Sequence, residues 1–222
     1  MQENPRPACV YGRVLKEAII RSMSAAGAGN QDSLTHLERN FIFYGSYHND
    51  PVNQLIHMFF VWPILLSALL LLSYAPAITT INGYDVGVMQ IMTVYYAAFY
   101  AVIELPGFAG IIASALVVTS HQAAYYLRDQ VLEGNAFQVA LVIQIVSWAA
   151  QIYGHAFHEG RSPAFLTNVH HALVMAPLFV LMEFLFHFGY RENFRIKCQR
   201  HIDKNIKDYK QKLQKREDRF LR

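Results

Sequence analysis

The run Tyr47-His48-Asn49-Asp50-Pro51-Val52-Asn53-Gln54-Leu55-Ile56-His57 passes without interruption into Met58 to Leu72, fifteen residues with no Asp, Glu, Lys or Arg. Two imidazoles therefore stand where the chain enters an apolar phase, a costly place for polar groups that find no partner. A second polar cluster, Gly154-His155-Ala156-Phe157-His158-Glu159, closes another charge-free segment, from Gly134 to Phe157. The pattern is that of a membrane protein with a histidine site at one water interface.

Composition agrees. The 222 residues are 54% hydrophobic and 16% charged, with a mean hydropathy of +0.18, whereas soluble domains carry about 25% charged residues. Between Asn40 and Tyr190 the only basic side chains are Arg128 and Arg161, so seventeen of the nineteen Lys and Arg residues lie at the two ends. Arg191 to Arg222 alone holds twelve basic residues against five acidic ones. No aromatic reading surface or DNA-binding pattern accompanies that charge, which argues against nucleic acid. It fits the basic flank that stays cytoplasmic and is attracted to anionic membrane lipid.

Five apolar segments follow one another: Leu55 to Leu72, Val88 to Ile103, Leu105 to Leu127, Phe137 to Phe157 and Ala172 to Tyr190. Each approaches the ~20 residues of a spanning helix. Pro106-Gly107 breaks the second from the third and makes them a hairpin. Positive charge at both ends favours an even number of crossings, and the last segment, with Pro177 and Glu183 inside it, is the one expected not to cross. The expected fold is all-α: a polytopic membrane helical bundle of about four crossings plus a re-entrant or interfacial helix. Four crossings return His155, His158 and Glu159 to the cytosolic face that also holds His48 and His57.

The chain divides into a flexible leader, 1–35, a membrane domain, 36–190, and a basic cytoplasmic tail helix, 191–222. The leader carries prolines, charges and a small, polar run but no sustained apolar core, so no cleavable signal is expected. In the tail, Ile202, Ile206, Tyr209, Leu213 and Phe220 form a heptad-like stripe, suited to packing on the membrane surface or on the protein's own cytoplasmic face. Cys9 and Cys198 lie in the polar ends, and no Asn-x-Ser/Thr acceptor occurs. These features favour an internal membrane facing a reducing cytosol.

Asp50 and Pro51 are suited to the cap and first position of a helix, which places His48 just before it and His57 two turns inside. His155, His158 and Glu159 are spaced i, i+3 and i+4 and so share one side of a helix end. Neutral imidazoles with a carboxylate suit a first-row divalent metal. Three protein ligands with open positions are the arrangement of non-haem iron that binds oxygen, with zinc equally compatible by ligand type. His48, His57, His155 and His158 are the candidate ligands, with Asn53 and Gln151 able to orient a ligand or a bound carboxylate. Histidine and amide side chains also act as hydrogen-bonding glue between membrane helices, and both readings stand. His121 is assigned to such helix-helix bonding, Glu104 to the hairpin turn, and Glu183 to anchoring the last helix.

Three motifs in order carry a resemblance: Tyr47-His48-x-x-Pro51-x-Asn53-x-x-Ile56-His57, then Trp148-x-x-Gln151-x-x-Gly154-His155-x-x-x-Glu159-x-Arg161-x-Pro163-Ala164, then Ala176-Pro177-x-x-Val180-x-x-Glu183-Phe184-Leu185-Phe186. Over about 41–190 the chain resembles the fungal 2-hydroxy fatty acid dioxygenases of the endoplasmic reticulum, which act in fatty acid alpha-oxidation and phytosphingosine breakdown. The resemblance implies an Fe(II) enzyme that uses O2, without a 2-oxoacid cosubstrate, to shorten a 2-hydroxy long-chain fatty acid by one carbon. It places His48, His57 and His155 on metal-type histidines and Glu159 on their acidic partner. Arg161 is expected to receive the substrate carboxylate at the interface, and Asn53 to assist. The chain departs from the family pattern at Asp50, commonly Asn, and at the additional His158. A membrane di-iron lipid hydroxylase, or a lipid-binding scaffold without activity, are the rival readings.

Overall fold

Asp50 begins the first long helix as its residue type requires: one carboxylate oxygen accepts from the amides of Val52 at 2.9 Å and Asn53 at 3.2 Å, with Pro51 in the first turn. The computed structural model describes residues 34–160 and 169–220. The leader to residue 33, Cys9, Arg161, Pro163 and Ala164 lie outside them. The elements are α1 (His36–Gly45), α2 (Pro51–Leu72), β1 (Thr79–Ile81), β2 (Tyr84–Val86), α3 (Val88–Ile103), α4 (Ala109–Tyr126), α5 (Ala136–Tyr153), α6 (Ala176–Phe186) and α7 (Glu192–Phe220). Single π-helical turns extend α4 through Leu127–Val131 and α5 through Gly154–Glu159, and another, His171–Met175, leads into α6. The unit beginning at Leu37 holds this architecture.

α3 and α4 form the hairpin that Pro106-Gly107 predicts. Polar side chains bond across it along its length: Ser114 to the Ala97 carbonyl at 2.7 Å, His121 with Thr93 at 2.8 Å, and Gln90 to Tyr125 at 2.8 Å. His121 is thus bound to a neighbouring helix, as expected. α5 runs antiparallel to α2, where the Gln144 amide donates to the Ile64 carbonyl at 2.8 Å and the Ser67 hydroxyl at 3.0 Å. Arg128 closes the opposite end, donating to the Ser73 carbonyl at 2.5 Å with its guanidinium 4.8 Å from the Tyr125 ring. α2 and α5 therefore start and finish, respectively, at the same end of the bundle.

Two of the helical stretches, Pro51–Leu72 and Ala136–Glu159, are long and apolar enough to cross a membrane. Val88–Ile103 and Ala172–Phe186 are shorter apolar helices among the described residues. The last is the shortest. With its leading π-helical turn, α6 runs from Ala172 to Phe186, a rise of roughly 22 Å at 1.5 Å per residue, short of the ~30 Å hydrocarbon core. It is also the most enclosed, since every residue from Val174 to Glu183 is buried, which excludes an interfacial position on the bundle's outside. Pro177 falls in its first turn, where the missing amide costs no bond. Glu183 accepts from Tyr44 at 3.0 Å and Gln54 at 3.4 Å, which resolves the unpaired carboxylate the sequence poses.

The β1–β2 hairpin was not anticipated. Its turn, Asn82-Gly83, has both residues at positive φ, 50° and 82°, the geometry two-residue hairpins favour. α7 forms over the predicted basic stretch and docks through its first half on α1. Lys197 lies 2.9 Å from Glu38, Asn205 donates to Ser46 at 3.2 Å, and Ile202 fills the space that Gly45 leaves by having no Cβ. Of the two surfaces proposed for the tail stripe, its first half uses the protein's own.

Glu104 binds the hairpin turn to the start of α7. Its fully buried carboxylate accepts from the Tyr190 hydroxyl at 2.7 Å, Arg191 at 2.7 Å and the Gly110 amide at 3.2 Å. Removing the carboxylate leaves several donors unpaired, so Glu104→Ala is expected to cost about 3 kcal/mol. A clear fall in the thermal unfolding midpoint of the detergent-solubilised protein is the check, and Glu104→Gln should fall between the two.

Candidate metal centre

Histidines at the ends of α2 and α5 can share a metal ion only if the two helix ends are brought side by side. This happens at Gly154. A Cβ there would collide with the Asn53 side-chain oxygen and meet Ile56 Cδ1 at 3.2 Å, so only glycine lets α5 come this close and present His155 beside His57. Glu159 holds the same junction from the other side: its Oε2 accepts from the amides of Asn49 and Asp50, both at 3.0 Å, and from the Asn53 side chain at 3.3 Å. The short loop that carries His48 is thereby tied to the end of α5.

The result is a cluster of three buried imidazoles. Ring centroids are 4.3 Å apart for His48 and His57, 4.7 Å for His48 and His155, and 5.0 Å for His57 and His155. One nitrogen from each lies within 4.8 Å of the others. Bonds to imidazole of about 2.0–2.1 Å would draw the rings slightly inward.

Hydrogen bonding sets two of the three tautomers. His48 Nδ1 lies 2.8 Å from the Tyr44 carbonyl and His57 Nδ1 lies 2.9 Å from the Asn53 carbonyl. A carbonyl only accepts, so each Nδ1 carries the proton and each Nε2 keeps its lone pair, the arrangement a metal-binding histidine needs. His155 Nδ1 is buried with no hydrogen-bond partner among the described residues. An orphaned imidazole nitrogen beside two free lone pairs fits a divalent cation. Burial first, then the nearby His57 and His155 rings, holds the His48 pKa well below its ordinary value. The ring is therefore neutral at pH 7.

The remaining predicted residues fall elsewhere. His158 lies against Tyr153, with its Nδ1 3.8 Å from Asp50, and is not part of the cluster. Asn53 is fully enclosed and contributes its backbone carbonyl to His57. Glu159 binds the loop amides and Asn53 through Oε2 and is not a member of the cluster. Tyr44, Gln54 and Glu183 form a support that the sequence did not reveal. Tyr44 stacks on His48 with centroids 4.1 Å apart, and Gln54 donates to the His48 carbonyl at 2.9 Å. The only local signal was the four-residue spacing of Tyr44 and His48; Glu183 arrives from a distant helix.

The imidazoles line one end of a cavity of about 650 Å³, walled otherwise by mainly apolar side chains of α1, α2, α3, α5, α6 and the turn before α6, with Tyr44, Tyr96, Trp148 and Gln151 as the residues that carry polar groups. Along α2 it extends from His57 to Ala68, eleven residues or roughly 16 Å of helix.

Below about pH 6.5 the unfolded chain takes up a proton that buried His48 refuses, so more protons bind to the unfolded state and stability falls with pH. The melting temperature of the metal-free protein should be level from about pH 8 to 7 and decline below about 6.5. His48→Asn should lessen that decline without removing it, since the other buried imidazoles of the cluster remain, as a melting series across the range would show.

A family model described as 2-hydroxy-palmitic acid dioxygenase Mpo1-like matches residues 34–188. The chain is 30% identical over 184 residues to the 2-hydroxy-palmitic acid dioxygenase MPO1 of Saccharomyces cerevisiae, an alignment covering 83% of this chain and 98% of that protein. No solved structure matches it. The extent of both matches, spanning all three histidines of the cluster, shows that the chain belongs to the Mpo1-like family of dioxygenases.

Proposed function

We propose that this protein is an Fe(II)-dependent dioxygenase of the endoplasmic reticulum membrane that uses O2 to convert 2-hydroxy long-chain fatty acids to acids one carbon shorter, in alpha-oxidation and phytosphingosine degradation. The observation that carries the proposal is a set of three buried imidazoles, two of them with their Nε2 lone pairs left free, lining one end of a long apolar cavity. His48, His57 and His155 would hold the metal, which supplies oxygen binding and redox chemistry when bound. The overall conversion balances as 2-hydroxy acid plus O2 giving the shorter acid, carbon dioxide and water, so no external reductant is needed.

The chain's own groups do the rest. The Tyr44 and Asn53 carbonyls fix the His48 and His57 rings, and Glu159 fixes the loop between them. The cavity takes the acyl chain out of water, each buried methylene contributing about 0.8 kcal/mol. Its depth along α2 is close to one leaflet, half of the ~30 Å hydrocarbon core. Four helices crossing the membrane with α6 enclosed among them would put the site at the cytosolic face, beside the basic tail. A di-iron hydroxylase is disfavoured, because the histidine cluster among the described residues has three members, too few for two ions.

The purified protein should bind about one Fe(II) per chain. His48→Ala, His57→Ala or His155→Ala should abolish formation of the shortened acid, read by mass spectrometry, while His158→Ala retains most of it. Undiminished product from metal-free protein would end the proposal, and bound iron without product would favour a scaffold.

Ala68 and Met92 lie farthest from the imidazoles, given where they fall along α2 and α3. Ala68→Phe fills that end and should shift preference toward acids shorter by several carbons. A competition assay across a chain-length series would reveal the shift, and an unchanged optimum would place the chain terminus elsewhere.

A further inference from the structure

Two of the three glutamines of α5, Gln144 and Gln151, stand seven residues apart on the same face by helical geometry, and they are used differently. Gln144 is fully engaged: its amide nitrogen donates to Ile64 and Ser67, and its oxygen accepts from the Trp148 indole at 2.9 Å. It is interhelical glue. Gln151 is only 7% exposed and lines the cavity one turn before His155, yet its Nε2 is buried without a hydrogen-bond partner. A buried amide donor left unpaired is destabilising, and an apolar side chain of similar size would satisfy the packing.

The two other orphaned buried atoms have local explanations. The Asn53 oxygen lies against Gly154, at the close approach of α2 and α5, and His155 Nδ1 belongs to the imidazole cluster. Gln151 alone combines an unpaired donor with a place in the cavity wall beside the imidazoles.

We infer that Gln151 is a substrate-binding residue, whose Nε2 donates to a carboxylate oxygen of a long-chain 2-hydroxy acid seated with its head group against the imidazoles. The inference rests on the function proposed above and assigns the recognition of the acid group within it. A carboxylate is the fitting acceptor, because bonds to an ionised group are stronger than neutral ones and the cavity has no other free cationic or amide donor among its described lining residues. The long chain then lies toward Ala68.

The test uses full-length, metal-free protein in detergent, so that binding is read apart from turnover. Equilibrium binding of a labelled 2-hydroxy long-chain acid is compared with that of the 1,2-diol of the same chain length, in wild type and Gln151→Leu. The variant is expected to bind the acid about tenfold more weakly and the diol within twofold of wild type. Without ligand it should melt no lower than wild type, since it loses an unpaired polar group and not a bond. In the iron-loaded enzyme KM for the acid should rise in the same proportion.

Unchanged acid affinity in the variant overturns the role of Gln151 while leaving the proposed function intact. Equal losses for acid and diol with a lowered melting temperature overturn it in favour of a structural amide. Failure of the wild-type protein both to bind the acid and to convert it would remove the proposed function as well, a result distinct from either.

Discussion

The approach of α5 to α2 at Gly154 is the constraint on which the site depends. Packed helices lie 8–10 Å apart depending on the side chains at the contact, and the residue at the crossing sets how the imidazoles on facing ends are brought level. With no Cβ at Gly154, the Asn53 side chain occupies that gap and His155 reaches the level of His57. His48 then needs only a loop, and the carboxylate of Glu159 holds that loop to the end of α5.

The rings are oriented by backbone rather than by side-chain carboxylates. His48 and His57 each donate to a carbonyl four residues earlier, so folding of α1 and α2 presents both Nε2 lone pairs in the absence of metal. A carboxylate in that position would add charge and basicity in an enclosed place; a carbonyl supplies direction alone. Behind His48, the Tyr44 ring and the Glu183 and Gln54 side chains restrict movement away from the cavity. Polar groups elsewhere in the bundle obey the same demand for partners, as at Glu104 and along the α3–α4 hairpin.

Membership of a dioxygenase family and the three-imidazole cluster are independent findings that converge. The first comes from similarity over most of the chain, the second from geometry that similarity does not describe. The cavity links them, because an apolar channel ending at imidazoles suits an amphiphile whose polar head is to be changed. Within it, the contrast between Gln144 and Gln151 separates a residue that holds helices together from one that has no bond to make until a ligand enters.

The sequence by itself determined the helical class, the Asp50-Pro51 helix start, the break at Pro106-Gly107 and the pair of polar clusters at the ends of charge-free segments, because capping, proline geometry and hydropathy act over a few residues. It also named His48, His57 and His155 as candidates, although it could not separate them from His158, which helical spacing places on the same side as His155. Only the tertiary structure decided that. The π-helical turn and the pinned loop direct His158 toward Asp50 and Tyr153, and α6, read from sequence as a re-entrant or interfacial helix, is enclosed, with every residue from Val174 to Glu183 buried. These choices depend on contacts between residues a hundred or more positions apart, such as Asn53 with Gly154 and Tyr44 with Glu183, and no local preference encodes which distant partner a side chain will meet.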